Sequence, residues 1–415
     1  MRVLNVSSLY PPNVIGGAEL GLQAIAEAMS EAGHDVHVVT LRPPVAPDRP
    51  AARDTGAVTV HPLRLANIYW PFDPGGAERS AARKIVWHGI DTSNGVMARR
   101  VERIVRRVRP DIVMTHNLQG FSTAVMPAVK RTATPLVHVL HDYALLCAQT
   151  ALWRGGRGCG LRSERCTGCR LLTAPRRRHL AAVDAVISVS RSLLDIHRLH
   201  GLLEGVPATV IHNALRPSLS IRDRIAPRRD GEVFAFGYLG RVERSKGIET
   251  LLAAATKLEA DGVRFRLRVA GRGNHDYLQA LRQRWPLEGI EYIGFVDAAH
   301  FLGGIDTLVF PSEWLEALGN GVFEAYSQGV PVIGSDCGGI PESIDDGATG
   351  FVYAAGDSAE LARRMRQLLV ESDLRNAMSA AALARAREYL APKRAAQYVA
   401  FLEEVLAGRA PGAAA

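Results

Sequence analysis

Short apolar runs rich in β-branched residues recur along this chain, each followed by a stretch of helical periodicity, and this alternation constrains the fold more than any other feature. In the first half the runs are RVLNVSS from Arg2, HDVHVVT from His34, DIVMTH from Asp111, PLVHVLHD from Pro135, AVISVS from Ala185 and TVIHNA from Thr209. Their length and composition suit strands buried on both faces of a parallel sheet. AELGLQAIAEAMSEAG, from Ala18, supplies the helix between the first two. The repeat predicts a doubly wound α/β sheet. It starts afresh with VFAFGYLGR from Val233, FRLRVAGRG from Phe265, IEYIGFV from Ile290, DTLVFPS from Asp306 and VPVIGSD from Val330.

Between the two series, RPSLSIRDRIAPRRDGE from Arg216 has no sustained periodicity and is the natural linker. A chain of 415 residues is also long for one compact core. The expected organisation is two facing Rossmann-like domains with a cleft between them. They cover residues 1–215 and 216–392, with a Cys-rich insert at about 144–178 in the first. A closing helix and tail over 393–415 return toward the first domain.

The formal net charge is +8, and it is unevenly placed: residues 1–215 hold 26 Lys and Arg against 16 Asp and Glu, leaving the remainder slightly acidic. An anionic substrate or an anionic membrane surface suits such a basic half. No nucleic-acid motif or aromatic stacking surface accompanies it, so no nucleic-acid partner is expected. No apolar run approaches the length of a membrane span. The first residues suit a buried strand better than a secretory signal, so the expected location is cytoplasmic, peripheral at the inner face of the membrane at most.

The loops after the strands carry the candidate chemistry. In LGRVERSKG a strand gives way to a loop with Arg241 and Lys246 just before a helix, where two cations and free amides suit a diphosphate. PSEWLEALGNGVFEA, from Pro311, brackets the glycines Gly319 and Gly321 with Glu316 and Glu324. A carboxylate only accepts hydrogen bonds and can hold vicinal hydroxyls of a sugar or ribose, while glycines let backbone amides approach a ligand. Gly338 and Gly339 offer a second such approach, ahead of a polar, hairpin-like DDGATG. Gly16 and Gly17 lie between the first strand and first helix but lack the G-x-G-x-x-G spacing, which counts against a nicotinamide enzyme.

Together these segments, with VAGRG from Val269 and GVPVIGSDCGGIPE from Gly329, resemble the family 4 retaining glycosyltransferases of the GT-B architecture; Glu316 and Glu324 have that family's spacing of seven intervening residues. The resemblance implies that Glu324 holds the nucleotide ribose and Glu316 a hydroxyl of the transferred sugar, beside the amides of Leu318, Gly319, Asn320 and Gly321. It implies that Arg241 and Lys246 neutralise the leaving diphosphate, with Gly16 and Gly17 near it. His141 matches the family's histidine near the anomeric carbon, and the backbone at Gly294 and Val296 would meet the base. Leu318 and Asn320 depart from the aromatic and the aliphatic or proline that are common there. The implied reaction moves a sugar from a nucleotide-sugar donor, a UDP- or GDP-sugar, to a glycan or lipid-linked acceptor in cell-envelope or exopolysaccharide synthesis. The chain has no Asp-x-Asp pair to carry a metal, so no cofactor is expected for catalysis. A non-hydrolysing nucleotide-sugar epimerase and a non-catalytic sugar-nucleotide-binding protein remain as alternatives.

Two further features stand apart. Cys147, Cys159, Cys166 and Cys169 fall in an irregular segment after His141, where four thiols suggest a structural zinc, with reduced thiols or a redox pair as the other readings. VMARRVERIVRRVRP places Val101, Ile104, Val105 and Val108 on one helical stripe and Arg99, Arg103, Arg106 and Arg107 off it. That helix suits either ordinary packing with a solvated face or contact with anionic lipid.

Overall fold

The structure, a computed structural model, describes residues 1–44, 53–54, 58–72, 79–154, 156–159, 167–223 and 232–408. The chain divides into two compact units. One contains Met1–Leu152, Cys159–Pro217 and the C-terminal stretch from Ala391; the other contains Trp153–Gly158 and Ser218–Leu390.

The first unit opens with β1 (Arg2–Val6), α1 (Gly17–Glu31), β2 (Asp35–Arg42), β3 (Arg53–Asp54) and β4 (Thr59–Arg64). It continues with α2 (Ala81–Thr92), α3 (Gly95–Val108), β5 (Ile112–Thr115), α4 (Val125–Lys130) and β6 (Leu136–Leu140). A ribbon of β7 (Trp153–Arg154) and β8 (Arg157–Gly158), which groups with the second unit, precedes α5 (Thr167–His179), β9 (Ala185–Ser188), α6 (Arg191–Leu199) and β10 (Ala208–Val210). The strands of the first unit are ordered β10-β9-β6-β5-β1-β2-β4-β3, parallel except where β3 meets β4. Chain order reverses direction at β1, so the crevice beyond the carboxyl ends of β1 and β5 is the place where such a sheet takes ligands.

The β-branched runs become fully buried strands: Val3, Val38, Val137 and Ile187 share a core with Leu22, Ile25 and Met29 of α1. In α3 the apolar stripe is buried through Val101, Ile104 and Val105, while Arg99, Arg103, Arg106 and Arg107 are exposed. Glu102 occupies part of the basic face by pairing with both Arg106 (2.9 Å) and Arg131 (2.7 Å). The insert is more regular than its sequence suggests. Its last third is the 13-residue helix α5, hidden from periodicity by an internal Pro175 and by polar buried positions, Thr173 and Arg176.

The second unit runs β11 (Ala235–Leu239), α7 (Ile248–Ala260), β12 (Arg266–Ala270), α8 (His275–Arg284), β13 (Ile290–Gly294), α9 (Ala298–Leu302) and β14 (Thr307–Phe310). Then come α10 (Gly321–Ser327), β15 (Val332–Ser335), α11 (Ile340–Ser343), β16 (Gly350–Tyr353), α12 (Ser358–Val370) and α13 (Ser372–Ala386). All six strands are parallel, in the order β13-β12-β11-β14-β15-β16. Numbered from its own first strand this is 3-2-1-4-5-6, the dinucleotide-fold order, with its switch point between β11 and β14. The DDGATG segment is a turn, but it leads into a sixth parallel strand, not back along β15 as a hairpin would. Gly350 makes that pairing possible, since a Cβ there would lie 1.9 Å from the Val332 carbonyl oxygen. The last helix, α14 (Ala391–Leu406), belongs to the first unit and buries Tyr398, Phe401 and Leu402 in its core.

Candidate active site

At the switch point of the second unit two loops are locked together backbone to backbone. A short 3-10 turn, Arg244–Lys246, ends at Gly247, whose φ of +68° suits glycine and whose Cβ, if it had one, would lie 1.7 Å from the Pro311 carbonyl oxygen. Across the gap, the Ser245 carbonyl accepts the backbone N–H of Glu313 (2.9 Å) and of Trp314 (3.1 Å). The loop after β11 is thereby fastened to the loop after β14, and their side chains converge.

Lys246 and Glu316 are the result. Lys246 Nζ lies 2.6 Å from Glu316 Oε1 and 4.5 Å from the centre of the Trp314 ring. The Ser312 hydroxyl donates to the same carboxylate oxygen at 2.9 Å. Glu316 is only 7% exposed, so this cation and this hydroxyl are what make an ionised carboxylate tolerable there. Its own carbonyl accepts the Gly339 N–H (2.8 Å), and a Cβ on Gly338, with φ of +63°, would lie 2.2 Å from that carbonyl oxygen. The close backbone approach expected at Gly338 and Gly339 is thus made to the Glu316 loop.

Glu324 sits in the first turn of α10, buried, with its N–H donating to the Asn320 carbonyl (3.1 Å). Leu318 is buried, and Gly319, with φ of +90°, turns the chain into Asn320 and Gly321 at the start of that helix. Both carboxylates therefore lie at the carboxyl end of β14. Arg241 stands apart from them: it is 68% exposed and pairs with Glu243 at 3.2 Å. Gly294 and Val296 lie at the carboxyl end of the edge strand β13, flanking Phe295, which is 76% exposed and carries the Arg272 guanidinium over its ring at 4.9 Å. Sequence reasoning passed over Ser312, Trp314, Arg272 and Phe295; only the last pair, an aromatic and an arginine each beside a glycine at a strand end, had a signal to find.

In the first unit, Gly16 N–H is already engaged, donating to the Glu19 carboxylate (2.8 Å) across the first turn of α1, which Gly17 opens. Burial pushes that carboxyl above its usual range. His141, at the end of β6, has its Nε2 3.0 Å from His116 Nδ1, and His116 Nε2 lies 3.0 Å from Asn5 Oδ1. Burial lowers all three neighbouring imidazoles: His116 well below the ordinary range, His138 to about 3 and His141 to about 4. His116, His138, His141 and Asp142 line a cavity of about 90 Å³ with Ser8 and Asn117. A smaller one of about 40 Å³ holds Trp87, His88, Asp91 and Arg176, and both are walled by Ala144, Leu145 and Thr150 of the insert. Desolvation raises Asp91 and Asp142 to about 6. His116 and Asn5 were missed because an isolated histidine and an asparagine within an apolar strand carry no spacing signal.

Of the four insert cysteines, Cys147 and Cys169 approach to 3.9 Å between sulfurs, Cys159 is half-buried, and Cys166 lies outside the described residues. Among the described residues, no group of three or more His, Cys, Asp or Glu is placed to hold a metal ion. Also among them, no helix is long and apolar enough to cross a membrane.

Known proteins resemble this chain in sequence and in fold. Residues 16–214 match the glycosyl transferase 4-like domain and residues 221–385 the glycosyl transferases group 1. An uncharacterized 42.6 kDa protein in the cps region of Klebsiella pneumoniae is 29% identical, over 82% of this chain and 87% of its own length. Glycogen synthase of Mycobacterium tuberculosis is also 29% identical, over 89% and 86%. Among solved structures, Anabaena HepE in complex with UDP and glucose superposes with a TM-score of 0.68 at 19% identity, over 97% of this chain and all of that one. With one family model on each unit and relatives spanning both, the chain belongs to the glycosyltransferases of the family 4 type, with the GT-B fold.

Proposed function

We propose that this glycosyltransferase takes its sugar from a nucleoside-diphosphate donor, a UDP- or GDP-sugar, and transfers it with retention to a glycan or lipid-linked acceptor in polysaccharide assembly. The observation that carries the reading is the Lys246–Glu316 pair at the switch point of the second unit. A cation and a hydrogen-bond acceptor side by side match the two halves of such a donor, its diphosphate and its sugar hydroxyls. Glucose and UDP sit in the HepE complex, and a glycogen synthase is among the relatives; both favour a nucleotide sugar as donor and a glycan as acceptor.

In this reading Glu324 binds the ribose, Glu316 a sugar hydroxyl, and the amides of Leu318–Gly321 the sugar and phosphate side. Gly294 and Val296 border the base. As the bond from the anomeric carbon to the phosphate oxygen breaks, the diphosphate leaves with the electron pair. Lys246 and Arg241, with Gly17 at the α1 N-terminus, offset the charge that develops there. The acceptor oxygen bonds to the same face of the anomeric carbon, and its proton passes to the departing phosphate oxygen. The family resemblance assigns His141 to the reacting end of the sugar. The zinc proposed for the insert rests on thiol chemistry, with Cys147 and Cys169 3.9 Å apart among the described residues. The arginine face of α3 rests on an anionic membrane surface.

Nucleotide release from a panel of UDP-, GDP- and ADP-sugars, with and without a lipid-linked acceptor extract, tests the reading. Release from one donor that rises with acceptor is the expected result. Isomerisation of a donor without release would replace it with an epimerase, and donor binding with neither outcome would replace it with a sensor.

A further inference from the structure

We infer that Asn5 and His116 are positioning residues for His141: they fix it as the tautomer protonated at Nε2 and leave Nδ1 as a bare acceptor for a hydroxyl of the transferred sugar. That a hydroxyl of the transferred sugar meets this acceptor rests on the proposed function. The proton arrangement follows from the first unit alone.

The three residues stand on adjacent strands, Asn5 within β1, His116 just beyond β5 and His141 just beyond β6, so the chain of contacts runs across the strand ends. Asn5 is the anchor. Its Nδ2 donates to the His37 carbonyl of β2 at 3.3 Å, which turns its Oδ1 toward β5 and His116. A carbonyl oxygen only accepts, so His116 Nε2 carries the hydrogen across that 3.0 Å contact. A neutral imidazole has one N–H, which leaves His116 Nδ1 a lone pair. That lone pair lies 3.0 Å from His141 Nε2, so His141 Nε2 supplies the hydrogen there.

Each ring is held in place by more than this contact. The backbone N–H of His116 donates to the Val6 carbonyl at 2.9 Å, and the two imidazole planes lie 28° from parallel with centroids 5.3 Å apart, the separation of rings meeting edge to edge as an in-plane N–H···N bond requires. Burial keeps both rings neutral at pH 7, so no second proton upsets the order. His141 Nδ1 is buried without a partner among the described residues. An enclosed acceptor without a donor is a deficit that an incoming hydroxyl relieves. The chemical consequence is specific: with its single N–H committed to His116, His141 enters the reaction as a hydrogen-bond acceptor and not as an acid toward the leaving group.

The test is two-bond proton–nitrogen correlation NMR on the full chain with ¹⁵N-histidine, with His141 assigned by loss of its signals in His141→Asn. Wild type is expected to show His116 and His141 both protonated at Nε2. His116→Gln, whose amide offers one donor and one acceptor, keeps the His141 tautomer. His116→Phe and, independently, Asn5→Leu release it to a mixture. A wild-type His141 protonated at Nδ1 overturns the inference, as does an unchanged His141 signal in both of the latter variants. The spectra need no donor, so they decide the relay whether or not nucleotide release, which decides the proposed function, is found. With the donor in hand, one monodeoxy analogue should lose about tenfold in kcat/KM with wild type, the size of one neutral hydrogen bond, and lose little with His116→Phe. Equal losses in both proteins would remove the hydroxyl assignment.

Discussion

The two units finish their strand ends with opposite electrostatics. Beyond β11 and β14 a lysine and a carboxylate meet at 2.6 Å, both charged and both partly screened from water. Within β1 and just beyond β5 and β6 there are an amide and two imidazoles, joined at 3.0 Å, with the imidazoles kept neutral by burial. The difference is one of exchangeability. An ion pair can trade partners when a polyanion arrives; under the proposed function, a diphosphate that drew Lys246 away would free Glu316 to accept from sugar hydroxyls. A neutral relay has no charge to trade and fixes direction instead, offering donors or acceptors at set atoms.

Removing the exchangeable cation should have the largest effect. Lys246→Ala is expected to lower turnover of the donor by roughly 10²–10³, the usual loss when a group facing developing negative charge is removed. It also strands Glu316, and an uncompensated buried carboxylate destabilises by about 3 kcal/mol. The double variant Lys246→Ala/Glu316→Gln separates the two, recovering stability in urea unfolding while nucleotide release stays low. If release stayed at the wild-type level in Lys246→Ala, the charged end would lose its role. Next comes the frame beneath the pair. Gly247→Ala should cost at least about 3 kcal/mol, since it adds a left-handed backbone penalty to a clash with the Pro311 carbonyl. An unfolding midpoint equal to wild type would show that the two loops are not locked as described.

The contrast also explains what the sequence made legible. The doubly wound character of both units was visible because buried parallel strands must be continuous β-branched runs. The positions of Glu316, Glu324 and Lys246 after β14 and β11 were visible because a switch-point loop has a fixed place between a strand and a helix. What the sequence concealed were partners chosen by three-dimensional proximity. Ser312 and Trp314 serve Glu316 and Lys246 from within the same loop, yet neither residue type marks a site. Asn5 looks like a flaw in an apolar strand until His116 is set beside it. Helix α5 was hidden for a different reason: its buried side is built from Thr173 and Arg176, so no apolar period announces it.

Acid sharpens the comparison at the neutral end. His138 and His141, with His197, a fully buried residue of α6, fall to about 3, 4 and 4 in the folded chain, against about 6.5 when unfolded. Each is depressed, so the unfolded chain takes up protons first: stability is complete above about pH 6.5 and is lost as pH falls toward the folded values. At pH 6 the loss is about 0.8 kcal/mol per histidine, about 2.5 kcal/mol for the three. Asp91 and Asp142, raised to about 6, act in the opposite sense and offset the loss between about pH 6 and 4. Urea unfolding at pH 7.5 and 6 should therefore differ clearly, with Asp142→Asn steepening the fall below pH 6. An identical midpoint at both pH values would mean that the imidazoles are not buried in neutral form.

Arg241 supplies the smallest effect and the finest division between the two ends. Its ion pair with Glu243 is exposed, so Arg241→Ala should change stability by no more than about 0.5 kcal/mol. If the charged end works by exchange, the same substitution should still weaken binding of a nucleoside diphosphate, by about tenfold at low salt and less at high salt, because an exposed cation acts through a screened field. Isothermal titration of UDP and GDP against wild type and Arg241→Ala at two ionic strengths measures this directly. Unchanged affinity at low salt would confine the diphosphate to Lys246 and the backbone amides, and would make the charged end a single cation instead of a pair.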